Sequence, residues 1–253
     1  VGGGIDPVRD IETVETELML ADLDSLEKRT DALEKRAKGS GEEAKEAKAV
    51  LELVKRALAL LQDGKPARLV ERKPEEEKLF HQLGLLTAVP VLYVCNVEEA
   101  SAATGNELSR RVEARAAQEG EGCVSISAKI ESEIASLPAD ERAHFLADLG
   151  LAEPGLDRLV RAGYDLLHLV TYFTAGPKEA RAWTVTQGTK APAAAGVIHS
   201  DFERGFIRAE TISYDDYVRL GGEAGARDVG KMRLEGKDYV VADGDVMHFR
   251  FAT

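Results

Sequence analysis

Only two cysteines, Cys95 and Cys123, occur in 253 residues, and they stand far apart with no CxxC and no histidine pair beside either. That spacing argues against a zinc site, and no metal ligand set is expected. Each cysteine sits in a short apolar run, so both are read as buried free thiols, which suits a reducing cytoplasmic setting. No run of about 18 apolar residues exists, which excludes a membrane-crossing helix. No basic stretch followed by an apolar one opens the chain, as a secretory signal would require. Positive charge is also scarce: 33 Lys and Arg stand against 45 Asp and Glu, for a net charge of −12. Such a balance opposes indiscriminate binding to a phosphate backbone, and no DNA specificity is expected. Finally, no G-x-x-x-x-G-K-[ST] occurs anywhere. Gly2-Gly3-Gly4 is not one, because no Lys-Ser/Thr follows.

What is present reads as helices first and short strands later. Ile11, Val14, Leu18 and Ala21 recur at helical spacing within a helix from about Asp10 to Lys38. Gly39-Ser40-Gly41 breaks it. Glu42 to Gln62 follows with a cleaner seam of Ala44, Ala47, Leu51, Val54, Leu58 and Leu61. Two such helices joined by a short turn are expected to pack as an antiparallel hairpin, with the seam residues as core. Its tip is basic: Lys35, Arg36 and Lys38 precede the turn, Lys45 and Lys48 follow it. A solvated helix end and an RNA contact both fit that pattern. Pro74 with Glu75, Glu76 and Glu77 marks the next helix start, ending near Gly84.

Val91 to Cys95 is a continuous apolar run ending at Asn96. It predicts a central strand buried on both faces, with a polar residue at its carboxyl end, where open α/β sheets bind ligands. A helix over Glu107–Gln118 and a second strand, Cys123–Ile126, complete a parallel crossover ending in Ser127-Ala128-Lys129. Helices over 131–136 and 139–149 follow, then one from Leu156 to about Leu167. From His168 the texture changes. Strands are expected at Val170–Phe173, Ala180–Val185 and Phe206–Ile212, with helices near Asp201 and over Asp215–Leu220. A glycine-rich segment spans Gly221–Gly230, and a closing hairpin pairs Tyr239–Val241 with Val246–Phe251 about Asp243-Gly244-Asp245. Trp183, Tyr172 and Phe206 are expected in the core of this small sheet. His199 and Asp201 lack a nucleophile or metal set, so a helix-start role for Ser200 or Asp201 is expected. No catalytic residue is assigned. The segment 168–253 holds 11 Lys and Arg against 12 Asp and Glu, so nearly all of the net negative charge lies before it.

Three stretches together resemble the YchF family of Obg-related P-loop hydrolases. The first is Glu17-Leu18-Met19-Leu20-Ala21-Asp22-Leu23-Asp24. The second is Val94-Cys95-Asn96-Val97-Glu98-Glu99, with Ser127-Ala128-Lys129 downstream. The third runs from Thr171-Tyr172-Phe173-Thr174-Ala175-Gly176 through Arg181-Ala182-Trp183-Thr184 and His199–Glu210 to Gly236–Val241 and Asp243–Val246. The resemblance implies an α/β fold: a partial P-loop-type nucleotide-binding domain with an antiparallel coiled-coil hairpin inserted, followed by a C-terminal α+β, β-grasp-like TGS domain. The implied boundaries are 1–9 and 66–167 for the nucleotide domain, 10–65 for the hairpin and 168–253 for the TGS domain. It also implies base contacts from Asn96, Val97, Glu99, Ser127, Ala128 and Lys129. Relatives with Asn-Lys-x-Asp read guanine. Here Val97 and Glu99 replace the Lys and Asp, which implies relaxed or adenine-preferring binding, hence ATP with GTP as a second nucleotide. Mg2+ would serve the parent protein through residues not found in this sequence.

The same resemblance implies a ribosome or structured-RNA partner in the cytoplasm, met by Lys35, Arg36, Lys38, Arg181, Arg204, Arg208, Lys231 and Arg233. A fragment of a longer hydrolase is expected, since Ile5-Asp6-Pro7 starts mid-pattern, and this chain alone is expected not to hydrolyse nucleotide. The alternatives are a binding module in which hairpin and TGS domain clamp RNA or protein, and a TGS-bearing enzyme of another type. In the latter, Asn96-Val97-Glu98-Glu99 has no place.

Overall fold

The computed structural model describes residues 4–252 and divides between Leu159 and Val160 into two compact units. Of the residues 1–9 read as a domain remnant, 1–3 lie outside the described residues, as does Thr253 at the other end.

The first unit is built on the hairpin. Helix α1 covers Pro7–Ala37 and α2 covers Glu42–Gln62. Asp6 caps α1, its carboxylate accepting from the Arg9 amide, and Pro7 follows with its fixed φ. The α2 seam is buried at Ala44, Ala47, Leu51, Val54 and Leu61, as its spacing predicts. In α1 the outcome differs. Val14 and Leu18 are exposed, and the buried residues are Asp22, Leu26 and Ala37. The helix is longer than its partner, so its N-terminal half runs past α2, and among the described residues Val14 and Leu18 there are left uncovered. The core gathers instead at the hairpin base. There Leu26, Leu53, Val54, Ala57 and Leu61 meet Ala67, Val70, Phe80, Leu83 and Leu85 from the connecting segment. Each fully buried large apolar side chain contributes about 1.5–3 kcal/mol. Pro74–Glu76 forms a tight 3₁₀ turn before α3 (Glu77–Gln82).

Strand β1 (Leu92–Asn96), helix α4 (Glu107–Glu119) and β2 (Gly122–Ile126) form the expected parallel crossover, with Cys95 opposite Ser125 and Asn96 opposite Ile126. Among the described residues the sheet has these two strands alone. The expectation of a strand buried on both faces is therefore corrected: none of its residues is buried and Val94 is 46% exposed. The cysteines are likewise half-buried rather than buried. An apolar run states what a strand would bury, but burial needs neighbouring strands and layers. Helices α5 (Ala128–Ser136) and α6 (Ala139–Asp148) make a small separate core of Ile130, Ile134 and Leu146. Helix α7 (Gly155–Leu166) spans the division between the units.

The second unit is a mixed five-stranded sheet in the order β4-β3-β7-β5-β6. Its strands are β3 (Leu169–Ala175), β4 (Ala180–Thr186), β5 (Phe206–Ser213), β6 (Arg233–Glu235) and β7 (Asp245–Phe251). β3 and β7 pair in parallel, and the other pairs are antiparallel. Helices α8 (Ala191–Ile198), α9 (Ser200–Arg204), α10 (Tyr214–Arg219) and α11 (Glu223–Asp228) connect them. Ala191, Ala194 and Ala195 pack on Tyr172, Phe206, Met247 and Phe249. Small side chains let α8 come close enough for the buried Tyr172 hydroxyl to donate to the Ala194 carbonyl at 2.8 Å. At Gly205 an added Cβ would lie 2.1 Å from the Ala252 carbonyl oxygen, so only glycine fits there.

Two expectations for this unit are corrected. The glycine-rich segment contains α11, because Gly222 at φ 108° serves as the non-helical residue before it. The closing hairpin does not form. Tyr239–Val241 makes a single bridge, Val240 to Lys190, and β7 lies between β3 and β5. The turn expected to close the hairpin is bonded elsewhere: Asp243 accepts from the Thr171 amide, and Gly244 donates to the Thr171 carbonyl and accepts from Tyr214.

One ion-pair group crosses the sheet. Glu210, on β5 and 7% exposed, accepts from Arg250 at 2.9 Å and from Arg208 at 3.4 Å. The Arg250 hydrogen bond holds the Glu210 carboxyl below the usual carboxylate range. The unfolded chain therefore takes up this proton first as acid is added. The stability it provides is present above about pH 4.3, the ordinary glutamate value, and is lost as pH falls through the lower folded value. Urea midpoints followed by Trp183 fluorescence are expected to fall between pH 7 and pH 3.5, and less steeply in Arg250→Gln. Equal steepness in the two proteins would refute the assignment.

Candidate functional site

The two loops at the carboxyl ends of β1 and β2 come together. Parallel pairing through Asn96 and Ile126 sets their ends level, and the Val97 amide donates to the Ile126 carbonyl at 2.8 Å, extending the ladder by one step. The Asn96 Oδ1 then accepts from the Ala128 amide at 3.0 Å, the first residue of α5. A strand-end asparagine thus closes one of the open N–H groups of the next helix.

The remaining site residues divide by role. Val97 is 8% exposed and turns its side chain inward. Ser127 precedes α5 but makes no cap. Its Oγ is buried and, among the described residues, has no hydrogen-bond partner. Glu99 and Lys129 are bound to each other across the two loops. Glu98 is occupied locally, accepting from Ser101 Oγ at 2.5 Å and from the Asn106 side chain at 3.3 Å. Asn106 in turn caps α4 by accepting from the Ser109 amide at 3.0 Å. Among the described residues, the Asn96 Nδ2 and the buried Ser127 hydroxyl are thus the side-chain polar groups left without a protein acceptor at this end of the strands.

Asn96 and Val97 also border a groove of about 760 Å3. Its walls are mostly apolar and include Ile11, Val14 and Leu18 of α1, together with Val91 and Val94 of β1. This is the α1 stripe whose helical spacing resembles that of a core face. Tyr93 closes one end, its single hydroxyl proton shared between Glu15 at 2.8 Å and Glu119 at 2.9 Å, while Arg115 bridges Glu12, Glu15 and Glu119. Burial and these two carboxylates push the Tyr93 phenol above its ordinary value, so it stays a neutral donor.

The basic residues separate into two classes. Lys35, Arg36 and Lys38 at the hairpin tip are exposed and make no ion pair among the described residues. In the second unit most candidates are already matched: Arg204 with Asp201, Arg208 with Glu210, Lys231 with Asp216, and Arg233 with Asp245 and Glu235. Arg181 instead lies over the Trp183 ring at 4.3 Å. Near His199 the helix-start role falls to His199 itself, whose Nδ1 accepts from the Asp201 amide at 3.2 Å, rather than to Ser200 or Asp201.

Asp22 belongs to the first of the three motif stretches, yet its position in the sequence assigns it no task. It is 2% exposed and accepts from the Leu86 amide at 2.7 Å, the Thr87 amide at 2.8 Å and Thr87 Oγ1 at 2.6 Å. A lone acid in an otherwise apolar helical stripe is the signal that marks it.

Comparison with known proteins gives concordant matches. The family profile YchF-GTPase_C, described as a protein of unknown function (DUF933), matches residues 169–252. The Ribosome-binding ATPase YchF of Bacillus subtilis is 51% identical over 253 residues, covering 99% of this chain and 68% of that protein. Its namesake from Haemophilus influenzae is 53% identical over 251 residues, with the same coverages. Among solved structures, the YchF GTPase of Schizosaccharomyces pombe superposes with a TM-score of 0.85 at 30% identity, covering 99% of this chain and 68% of that one.

Proposed function

Because the chain belongs to the YchF family, matching the C-terminal two-thirds of its longer members, we propose that it forms the base-side and ribosome-facing part of an ATP hydrolase that also accepts GTP. The hydrogen bond from the Ala128 amide to Asn96 Oδ1 carries this reading, since it fuses the two loops into one rim. The Asn96 Nδ2 is left to donate to a purine ring acceptor, which adenine and guanine both present. The carboxylate that would single out guanine is drawn aside: Glu99 is engaged by Lys129, and the neighbouring Val97 is apolar. A site without that acceptor gives relaxed or adenine-leaning selection. The half-exposed β1–β2 sheet and the apolar groove beside it are read as the face that further elements of the nucleotide domain cover in the longer relatives. Residues 10–65 are assigned to the hairpin, 66–167 to the nucleotide domain and 168–253 to a β-grasp-like TGS domain.

No residue of this chain is assigned to phosphate or Mg2+, because the sequence contains no phosphate-cradling loop. Incubated with Mg-ATP or Mg-GTP, the purified chain is expected to release no phosphate above the buffer rate. Turnover would overturn that part of the proposal. Base contact is tested by equilibrium dialysis with ATP, where Asn96→Ala is expected to weaken binding about tenfold, the worth of one hydrogen bond with its partner left unpaired. Unchanged affinity would remove Asn96 from the site. A second reading, a binding module without hydrolase coupling, is favoured by the unpaired cations at the hairpin tip. It predicts ribosome binding indifferent to added nucleotide.

A further inference from the structure

Helix α7 borrows its N-terminal cap. Pro154 before it offers no side-chain acceptor, and two of its first N–H groups are met by another helix. The Glu131 carboxylate, on the first turn of α5, accepts from the Gly155 amide at 2.8 Å and from the Leu156 amide at 3.1 Å. Its negative charge also suits the positive end of α7. Gly155 is buried, and a Cβ there would lie 2.9 Å from both Glu131 Oε1 and Ile126 Cγ2, so only glycine allows this approach. A second fastening lies one turn on, where Arg158 donates to the Ser125 carbonyl of β2 at 3.0 Å.

These contacts bracket the loop Ser127-Ala128-Lys129. Ser125 precedes it on β2. Glu131 follows it, and the Glu131 amide donates to the Ser127 carbonyl at 3.0 Å, closing the first turn of α5. Asn96 holds the same turn from the β1 side through the Ala128 amide. The loop, that turn and the start of α7 therefore cannot separate without breaking at least one of these bonds. From there α7 continues as one helix to Leu166, past the division between Leu159 and Val160.

On the base-site reading above, we propose that Glu131 is a latch through which purine binding at the Asn96 and Ser127 loops orders α7. The first turn of α7 frays only when Glu131 releases the two amides, and that release leaves the first turn of α5 less firmly held. A base that needs the two loops fused as one rim binds the latched form more tightly. Its binding then opposes the opening of α7 by up to the factor 1 + [L]/Kd, about tenfold when free ATP is ten times its Kd. By the same linkage, loss of the latch weakens ATP severalfold.

The test is hydrogen exchange of the full chain, read by mass spectrometry with and without ATP at ten times the Kd of each protein. In the wild-type chain ATP is expected to slow exchange at residues 126–131 and in α7, by up to about tenfold. In Glu131→Ala the loop is expected to keep its protection by ATP, while α7 exchanges faster and no longer responds to the nucleotide. Gly155→Ala crowds the latch but leaves the carboxylate in place, and is expected to uncouple α7 in the same way. Glu131→Gln retains one acceptor oxygen and is expected to keep part of the response. Circular dichroism reports which variants are folded, and either uncoupling variant decides the matter if the other unfolds. Protection of α7 by ATP that survives in a folded Glu131→Ala or Gly155→Ala chain would overturn the latch. So would protection of the loop without α7 in the wild-type chain, and both results leave the base site standing. A wild-type chain that binds no ATP in dialysis would remove the base site, and the latch with it.

Discussion

Replacing Asp22 by alanine is expected to lower the stability of the hairpin-bearing unit by about 3–5 kcal/mol, from two or three donors left without an acceptor at about 1–3 kcal/mol each. Three donors converge on this carboxylate: the amides of Leu86 and Thr87 and the Thr87 hydroxyl. Thr87 Oγ1 also accepts from the Ala67 amide at 3.0 Å. One side chain in the middle of α1 therefore ties the helix to two turns of the connecting segment, around the cluster that holds Leu26, Ala67 and Leu85. Alanine leaves the Thr87 amide buried with no acceptor and removes the group that orients the Thr87 hydroxyl. Asparagine keeps one acceptor oxygen but sets an NH2 group against the remaining donors, and is expected to cost about half as much. Urea denaturation followed by far-ultraviolet circular dichroism, where the long hairpin dominates, measures the loss. Trp183, the single tryptophan, lies in the other unit, and its fluorescence transition is expected to be unchanged. A loss below about 1 kcal/mol would show that water replaces the carboxylate without cost.

The elements legible in the sequence are those whose pattern is local. The α2 seam shows in its own spacing because one face of the helix meets a continuous partner, and its limits, Glu42–Gln62, fall where the glycine turn and Asp63-Gly64 place them. The parallel pairing of β1 and β2 is legible for a similar reason, since a helix between two apolar runs permits little else. What depends on distant chain is not. The apolar stripe at Val14 and Leu18 has the period of a buried face yet lies along a groove, because its partner would have to come from elsewhere. The last strand pairs with β5 and β3 instead of its neighbour in sequence, since Asp243 and Gly244 are bonded to Thr171. Nothing within residues 239–251 encodes that preference.

The candidate site is readable in one respect and opaque in another. A polar residue ending a buried-type strand points to Asn96, and a strand-to-helix junction points to Ser127. Which of their atoms stay open cannot be read from the sequence, because it depends on partners 30 residues away, as the contact between Lys129 and Glu99 illustrates. The cysteines show the same limit. Widely separated in sequence, they give no sign of meeting, and only the strand register brings them to 3.9 Å.

Charge counts mislead in the same way for the residues proposed to meet the ribosome, and the pairing pattern gives the last prediction. Reversing Lys35, Arg36 and Lys38 together to glutamate is expected to weaken ribosome binding by about 10²-fold at 50 mM salt and to lower the salt slope by about two to three, one near-unit step for each phosphate that is no longer neutralised. These cations have no acidic partner among the described residues, so their charge is available to phosphate. Glu42, Glu43 and Glu46 at the start of α2 temper the field around the tip, which keeps the expected loss below that of an isolated basic cluster. Arg204, Arg208, Lys231 and Arg233 are different, since each already serves a carboxylate. Changing Arg204 to glutamine removes a cation and leaves Asp201 without its arginine, so only a small change in slope is expected from it. Sedimentation of the chain with ribosomes across a salt series distinguishes the two sets. A tip variant that retains the wild-type slope would place the contact away from the hairpin. A larger effect from Arg204→Gln than from the tip would mean that ribosomal phosphate displaces the Asp201 carboxylate, and that the second unit makes the dominant electrostatic contact.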